Sequence, residues 1–142
     1  VNLRNCILTP HLGEFSQMIG VESSTIEKDF LSYGRVFAIK HKCILVLKGA
    51  PSIIFNQAGE AFINTIGNSG MAKFGTGDVL TGIISGILSQ NKNTETAAIT
   101  GVYLHSLAAD LLLKEKPISN YLASDIIHKF TDAVKFLEVS IV

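Results

Sequence analysis

GNSGMAKFGTGD occupies residues 67–78 and leads directly into an apolar stretch from Val79 to Ser89. Glycines permit positive φ angles and leave neighbouring backbone N–H groups uncovered. The first turn of a helix adds N–H groups without intrahelical partners and the positive end of the helix dipole. We therefore interpret Gly75, Thr76 and Gly77 as an anion cradle that opens a helix. A tight loop whose glycines serve packing is the alternative.

Two standard phosphate-binding motifs do not fit this segment. Gly70 and Gly75 have the separation of a P-loop, but Thr76 stands where that motif requires lysine. A Rossmann fingerprint fails because the first strand–turn–helix unit of that fold is absent. Asp78 is the one acid in the segment, and its position is that of a general base that deprotonates a hydroxyl before phosphoryl transfer. Its alternative is a first-turn residue favoured by the helix dipole.

The flanking sequence predicts strands and helices in an α/β arrangement. Apolar runs at 6–8 and 44–47 are typical of buried strands, and 52–55 with 61–63 flank a hairpin loop. Helices are predicted at 13–19, from a cap at Ser24 or Thr25 to His41, at 79–89, from 94 to about 114, and from a cap at Ser124 to about 137. The predicted fold is thus a mostly parallel sheet with a hairpin, flanked by helices.

The domain prediction is a single unit over residues 1–142. Two buried strands and a hairpin are few for so many apolar helices, so we expect part of the sheet to be missing. The chain also opens on Val1 without an initiating methionine. We therefore expect residues 1–142 to be the C-terminal portion of a longer domain.

The composition and net charge of the chain exclude several classes of protein and of binding partner. Hydrophobic residues make up 47% of the 142 residues and charged residues 17%, which excludes a disordered chain or a coiled coil. Lys plus Arg and Asp plus Glu both number 12, so the formal net charge of zero argues against nucleic acid or an anionic membrane as partner. The apolar stretch 97–113 is interrupted by His105 and Asp110, as in a helix buried in protein. Cys6 and Cys43 lack metal-ligand spacing and indicate reduced thiols in a cytoplasmic protein.

Three motifs in chain order resemble the ADP/ATP-dependent NAD(P)H-hydrate dehydratase family of the ribokinase-like superfamily, whose members are often labelled sugar or carbohydrate kinases. They are TPHLGEF at 9–15, VLKGA at 46–50, and GNSGMA at 67–72 followed by GTGDVL at 75–80. The resemblance covers nearly the whole chain and about the C-terminal half of the family's domain. Residues that depart from the family pattern are Leu12, Pro51, Ser52, Ser69, Lys73 and Phe74. Pro51 lacks a backbone N–H, and Lys73 adds positive charge near the anion.

The resemblance implies a role for each matching residue. Asp78 would contact the hydrated dinucleotide, NADHX or NADPHX, as the catalytic base, with Gly77 at the nucleotide phosphate. His11 would contact the same hydrated dinucleotide. The adenine nucleotide would be lined by Lys48, Gly49, Ala50, Pro51 and Ser52. From the residues alone, His11 is a loop residue at the end of a strand, where open α/β sheets bind ligands, and Lys48 is a strand-end lysine.

The resemblance also implies the reaction and the assembly. ADP or ATP would phosphorylate the hydroxyl of the hydrated ring, and loss of phosphate would restore NADH or NADPH. Mg²⁺ would bridge nucleotide phosphates, since no carboxylate pair here is typical of a dedicated metal site. The family forms tetramers, and a sheet cut through its middle favours a homo-oligomer, or a second chain that supplies the other half.

Three hypotheses follow from these residues. The chain belongs to a dehydratase that repairs nucleotides, to a kinase of a sugar, hydroxymethylpyrimidine or thiazole alcohol, or to a non-catalytic fragment. The remaining histidines, His41, His105 and His128, are interpreted as structural or exposed helix residues. Glu14 is interpreted as a helix N-terminal charge, and Asn68 either orients a phosphate or holds a turn.

Overall fold

The computed structural model describes residues 1–139, so residues 140–142 of the predicted domain lie outside it. The strands are β1 (Ile7–Leu8), β2 (Ile44–Leu47), β3 (Ser52–Phe55) and β4 (Ala61–Asn64). The α-helices are α1 (Leu12–Ile19), α2 (Ser23–Ile26), α3 (Phe30–His41), α4 (Thr76–Asn91), α5 (Thr94–Leu112) and α6 (Ala123–Val139). The chain divides into a first unit, residues 1–65 with 93–99, and a second unit, residues 66–92 with those from 100 onward.

The first unit contains a four-stranded sheet in the order β1-β2-β3-β4. Only the β1–β2 pair is parallel, with Ile7 opposite Ile44, whereas β2–β3 and β3–β4 are antiparallel. The sheet is therefore mixed, and the prediction of a mostly parallel sheet was wrong for the described strands. The reason is the short connection between β2 and β3, because parallel neighbours need a crossover of a dozen or more residues. The predicted hairpin is confirmed.

Burial in the sheet follows the apolar runs. All four residues of β2 are buried, as the run at 44–47 predicts, while β1 is half-buried. Neither cysteine forms a disulfide among the described residues. Burial raises the pKa of the Cys43 thiol to about 11, from an ordinary value of 9.0.

A single helix was predicted from a cap at Ser24 or Thr25 to His41, but the structure contains two helices there, α2 and α3. The chain leaves the helical path between them, and the side chain of Asp29 caps α3 by accepting a hydrogen bond from the N–H of Ser32 at 3.2 Å. Asp29 stands immediately before the apolar Phe30, where an N-cap carboxylate satisfies free N–H groups. Helix α3 then lies on the sheet, and its Phe37 ring meets the Phe15 ring edge-on at 5.3 Å between centroids.

The second unit is built from helices. Its core contains Leu104, Leu107, Ala108, Leu112, Tyr121 and Ile126. Helix α4 begins at Thr76, three residues before the predicted start at Val79. Helix α6 begins at Ala123, so Ser124 lies inside its first turn and is not the predicted N-cap. None of the helices in the described part of the chain has the length and apolarity needed to span a bilayer.

Candidate functional site

His11 and Lys48 meet at one edge of the sheet in the first unit. Each follows one of the two parallel strands, and the residues pair as an isolated parallel bridge. The backbone N–H of Lys48 donates to the carbonyl of Pro10 at 2.9 Å. The carboxyl ends of parallel strands are where open α/β sheets bind ligands. The structure thus brings together two residues to which the sequence resemblance assigned ligand contacts.

The His11 ring is oriented by the helix that it caps. The N–H of Glu14 donates to His11 Nδ1 at 3.2 Å, and the N–H of His11 donates to Glu14 Oε2 at 2.7 Å, so the two residues form a capping box. Because Nδ1 accepts a hydrogen bond, the neutral imidazole carries its proton on Nε2. His11 is mostly exposed, so the Nε2–H group is available as a donor.

Glu14 links His11 to Lys48. Its carboxylate lies 3.5 Å from the ammonium of Lys48 and 3.6 Å from His11 Nε2. The hydrogen bond from the His11 backbone, and then the charge of Lys48, hold the pKa of Glu14 below its ordinary value. From its position in the sequence, Glu14 is predicted only to be a charge at a helix N-terminus. The signal for the further role was the His-x-x-Glu spacing, in which histidine replaces the usual Ser or Thr of a capping box.

The segment assigned to the adenine nucleotide forms a turn after Lys48. The Ser52 hydroxyl donates to the Gly49 carbonyl at 3.2 Å and accepts from the Gly49 N–H at 3.4 Å. Gly49, Ala50 and Pro51 are exposed. Ser52 therefore closes the turn, while the backbone of the three residues before it faces solvent.

Helix α4 of the second unit begins without a side-chain cap. Gly75 is its N-cap residue, with a φ of 86°, which is in the left-handed region that favours glycine. The first N–H groups of a helix have no intrahelical partners, and no side chain at this N-cap accepts from them. Asp78 lies exposed in this first turn. The N–H of Thr76 donates to the carbonyl of Lys73 at 3.3 Å, so it is not open to an anion. The anion cradle stays a prediction, and at this helix start it concerns the N–H groups of Gly77 and Asp78.

Thr76 contributes to this geometry through the backbone alone. Its side chain is buried, and Oγ1 lies 2.7 Å from the carbonyl oxygen of Met71 and 2.8 Å from that of Lys73. The hydroxyl is therefore occupied within the loop. The Thr76 side chain therefore packs the loop against the start of the helix and is not available to an anion. This agrees with the alternative interpretation, a tight loop that serves packing, for this one side chain.

Asn68 holds the turn that precedes the cradle. Its amide nitrogen donates to the Ala109 carbonyl at 3.0 Å and to Asp110 Oδ1 at 2.8 Å, and its Oδ1 accepts from the Gly70 N–H at 3.0 Å. Asp110 Oδ2 also accepts from the N–H of Gly67 at 2.9 Å. The amide of Asn68 is engaged at both ends, which favours the turn-holding interpretation over contact with a phosphate.

Two departures from the family pattern flank the cradle. Lys73 donates from Nζ to the carbonyl of Ser119 at 3.5 Å, so its ammonium is directed to that loop. The Phe74 side chain is fully exposed.

A groove of about 560 Å³ runs from Asp78 along α4 and α6. Its lining is mostly apolar or glycine and consists of Asp78, Val79, Gly82, Ile83, Gly86, Ile87, Gln90, Ile127 and Phe130. The small residues that the sequence places on α4 leave this groove open. No group of three His, Cys, Asp or Glu side chains suited to a metal ion occurs within residues 1–139.

Comparison with known proteins agrees with the three motifs. A sequence model described as NAD(P)H-hydrate dehydratase matches residues 2–132. The chain is 38% identical over 120 residues to the ADP-dependent (S)-NAD(P)H-hydrate dehydratase of Bacillus subtilis strain 168, an alignment that covers 84% of the chain and 44% of that relative. The chain thus spans less than half the length of this relative.

Two solved structures share the fold. The ADP/ATP-dependent NAD(P)H-hydrate dehydratase from Bacillus subtilis, co-crystallised with ATP/Mg²⁺, matches with a TM-score of 0.88 at 35% identity, over 92% of this chain and 47% of that one. A ribokinase-like superfamily protein from Enterococcus faecalis V583 matches with a TM-score of 0.77 at 35% identity, over 92% of this chain and 44% of that one. The predicted α/β fold of the ribokinase-like type is confirmed.

Proposed function

This chain belongs to the NAD(P)H-hydrate dehydratase family, and we propose that it forms part of an enzyme that uses ADP or ATP to dehydrate hydrated NADH and NADPH. The observation that carries the proposal is the start of α4, where no side chain caps the N–H groups of Gly77 and Asp78 and where Asp78 exposes a carboxylate in the same turn. Uncapped N–H groups bind phosphate oxygens, and a nearby carboxylate accepts a proton.

The chemistry divides into two steps. In the first, Asp78 accepts the proton of the ring hydroxyl, whose oxygen then attacks the terminal phosphorus while AMP or ADP leaves. In the second, the carbon–oxygen bond breaks, phosphate departs and the ring loses a proton, which restores the dihydropyridine. The N–H groups of Gly77 and Asp78 stabilise the transition state of the first step, because negative charge accumulates on the oxygens of the transferred phosphoryl group.

In the first unit we assign ligand contacts to His11 and to the turn that begins at Lys48. The Nε2–H group of His11 is a donor suited to an oxygen of the hydrated dinucleotide. The backbone of residues 49–51 is exposed and suited to the adenine nucleotide. Lys48 supplies positive charge that Glu14 partly offsets, at 3.5 Å.

In this proposal Mg²⁺ binds together with the nucleotide, through its phosphates. Residues 1–139 offer no group of three metal-binding side chains, so these residues do not fit a dedicated magnesium cage. Magnesium is commonly held through substrate phosphates and water, where it neutralises phosphate charge. No step here depends on a protein ligand to the ion.

We also propose that the chain assembles as a homo-oligomer. The groove along α4 and α6 leaves apolar side chains uncovered, and β1 and β4 are the edge strands of the described sheet. Uncovered apolar faces and unpaired strand edges both favour association. A net charge of zero offers no electrostatic resistance.

The test of function uses the natural full-length protein with hydrated NADH and either ADP or ATP. We expect recovery of absorbance in the NADH band, with one nucleotide consumed for each ring restored. Phosphorylation of a sugar, hydroxymethylpyrimidine or thiazole alcohol without that recovery would instead identify a kinase of the same superfamily. The 142-residue chain, assayed in parallel, shows whether it is active by itself.

A further inference from the structure

Side-chain hydrogen bonds tie the C-terminal end of α5 to the glycine-rich loop that precedes α4. Asp110 Oδ1 accepts from the amide nitrogen of Asn68 at 2.8 Å, and Asp110 Oδ2 accepts from the N–H of Gly67 at 2.9 Å. The amide nitrogen of Asn68 also donates to the Ala109 carbonyl at 3.0 Å. All four residues belong to the second unit. One helix end therefore holds two successive residues of the loop.

Asp110 is unfavourable for helix α5 itself. The helix ends at Leu112, so Asp110 lies in its last turn, where the negative end of the helix dipole disfavours a carboxylate. Aspartate is also among the weaker helix formers. Both of its carboxylate oxygens accept from the loop, and the residue is half-buried there. What an aspartate provides at this position is therefore its hold on the loop.

Asn68 extends this hold along the loop. Its Oδ1 accepts from the N–H of Gly70 at 3.0 Å, and its backbone carbonyl accepts from the N–H of Met71 at 3.1 Å. Gly70 is buried, and a Cβ at this position would overlap the ring of Tyr121. The short helical turn 69–71 is thus held by Asn68 and packed against Tyr121.

The loop is bonded in turn to the start of α4. The hydroxyl of Thr76 lies 2.7 Å from the carbonyl oxygen of Met71 and 2.8 Å from that of Lys73. Thr76 is buried and is the first residue of α4, two residues before Asp78. A continuous series of hydrogen bonds thus runs from Asp110 through the loop to the helical turn that contains Asp78.

We propose that Asp110 is a positioning residue for the start of α4, because its carboxylate fixes the loop that holds Thr76 and thereby sets the place of Asp78. The importance of this place for dehydration rests on the proposed function, in which Asp78 accepts the proton of the ring hydroxyl. Anchoring of α4 by Asp110 does not depend on that reaction. A displacement of about 1 Å near reacting groups can lower a rate about a hundredfold, so loss of the anchor should reduce kcat.

Three variants test the anchor. Asp110→Ala removes the carboxylate, and Asn68→Asp replaces the hydrogen bond between the two side chains by a contact between two carboxylates. The double variant Asn68→Asp with Asp110→Asn exchanges the two side chains, so that an amide again faces a carboxylate. Ala133→Gly is the control, because Ala133 is buried in the helical core of the same unit and takes no part in these hydrogen bonds. Glycine there weakens the interior of α6.

The first measurement is kcat for hydrated NADH in the natural full-length protein, at a temperature where every variant is folded. We expect Asp110→Ala and Asn68→Asp to lower kcat about tenfold or more, and Ala133→Gly to keep the wild-type value. The exchanged pair should turn over at least about threefold faster than Asn68→Asp. A merely structural role predicts no such recovery in folded protein, so an exchanged pair no faster than Asn68→Asp would overturn the proposal.

Amide hydrogen exchange in the 142-residue chain measures the anchor without the reaction. The N–H groups of Met71, Thr76 and Val79 close the loop and the first turn of α4, at 3.1, 3.3 and 3.1 Å from their acceptors. Asp110→Ala should speed their exchange about tenfold relative to Ala133→Gly. Faster exchange confined to Gly67, which donates directly to Asp110, would show that the anchor does not reach α4 and would also overturn the proposal.

These outcomes are distinct from failure of the proposed function. If the full-length protein does not restore NADH, but exchange at Thr76 and Val79 responds to Asp110→Ala, the anchor stands without the dehydratase activity. If the protein restores NADH and Asp110→Ala turns over as fast as the wild type, the dehydratase activity stands and the positioning role of Asp110 is wrong.

Discussion

At the scale of single residues, the candidate site depends on side chains that hold other groups in place. The backbone N–H of Glu14 donates to the His11 ring, and the Glu14 carboxylate lies 3.5 Å from the Lys48 ammonium. Thr76 uses its hydroxyl within the loop and leaves the neighbouring N–H groups open. In the second unit, Asp78 is an exposed carboxylate in the first turn of α4.

Asp78→Asn in the natural full-length protein should lower kcat for dehydration by at least about a hundredfold, because the amide cannot accept the hydroxyl proton. The Kd for ADP should change little, since the N–H groups of the helix start remain. The measurement is steady-state turnover of hydrated NADH together with a nucleotide titration. Asp29→Asn, at an N-cap in the first unit, is the matched control and should leave turnover unchanged. Normal turnover by Asp78→Asn would remove Asp78 from the mechanism.

His105 should also make folding stability sensitive to pH. Its pKa is about 4 in the folded chain and has an ordinary value of 6.5, so the unfolded chain binds more protons between these values. Stability from this group is complete above about pH 6.5 and is lost as pH falls toward 4. The loss should be roughly 3 kcal/mol of unfolding free energy. Urea denaturation from pH 7 to 4 measures it.

The matched variants for this pH dependence are His105→Leu and His128→Leu. His128 is exposed, so its replacement should leave the slope between pH 6.5 and 4 as in the wild type. His105→Leu should flatten that slope. Equal slopes in the wild type and in His105→Leu would show that this imidazole is not buried as a neutral group.

At the scale of secondary structure, helices meet their neighbours where glycines allow close approach. Gly34 of α3 lies against the ring of Phe55 in β3, and Gly101 of α5 lies against Ile84 of α4. Gly82 and Gly86 of α4 have no neighbour at the corresponding distance within the described residues. The first two glycines thus serve packing inside a unit, whereas the last two border the open groove.

Gly34→Ala and Gly82→Ala should change stability in opposite directions. A Cβ at position 34 would lie 2.3 Å from a ring carbon of Phe55, so we expect a loss of about 1–3 kcal/mol of unfolding free energy. A Cβ at position 82 meets no atom within 4 Å, and alanine is the better helix former by roughly 0.5–1 kcal/mol. Urea denaturation of both variants provides the comparison. A stabilising Gly34→Ala would show that α3 is not packed this closely on β3.

At the scale of the whole molecule, the apolar groove of the second unit is expected to favour association between copies of the chain. Its lining includes Ile127, whose side chain is 57% exposed, and the groove extends along α4 to Gln90. Exposed apolar patches of this kind commonly mark interaction surfaces. The net charge of zero leaves association unopposed.

Light scattering at micromolar concentration should show a mass above that of one chain, and Ile127→Lys should shift it toward the monomer. Lysine places a charge in the groove, where desolvation on association is costly. Leu113→Lys is the control, because Leu113 is 49% exposed but does not line the groove. A wild-type monomer with a cooperative melt would mean that these 142 residues close their own core.

The sequence by itself determined the features that depend on neighbouring residues. The apolar run 44–47 predicted a buried strand, residues 52–63 a hairpin, and the glycines before Asp78 an uncapped helix start, and the structure contains all three. Each follows from local propensity, turn chemistry and burial pattern, which a short window of sequence contains.

Tertiary structure alone decided the features that join distant positions. The pairing directions within the sheet and the Glu14–Lys48 contact each join residues far apart in sequence. The burial of His105 likewise depends on how the helices of the second unit pack. Nothing in a local pattern indicates whether the histidine inside this apolar helix is buried or exposed, and the structure buries it. The exposure of this imidazole depends on which helices the fold packs around it, because burial of a polar ring has a cost that no local pattern expresses.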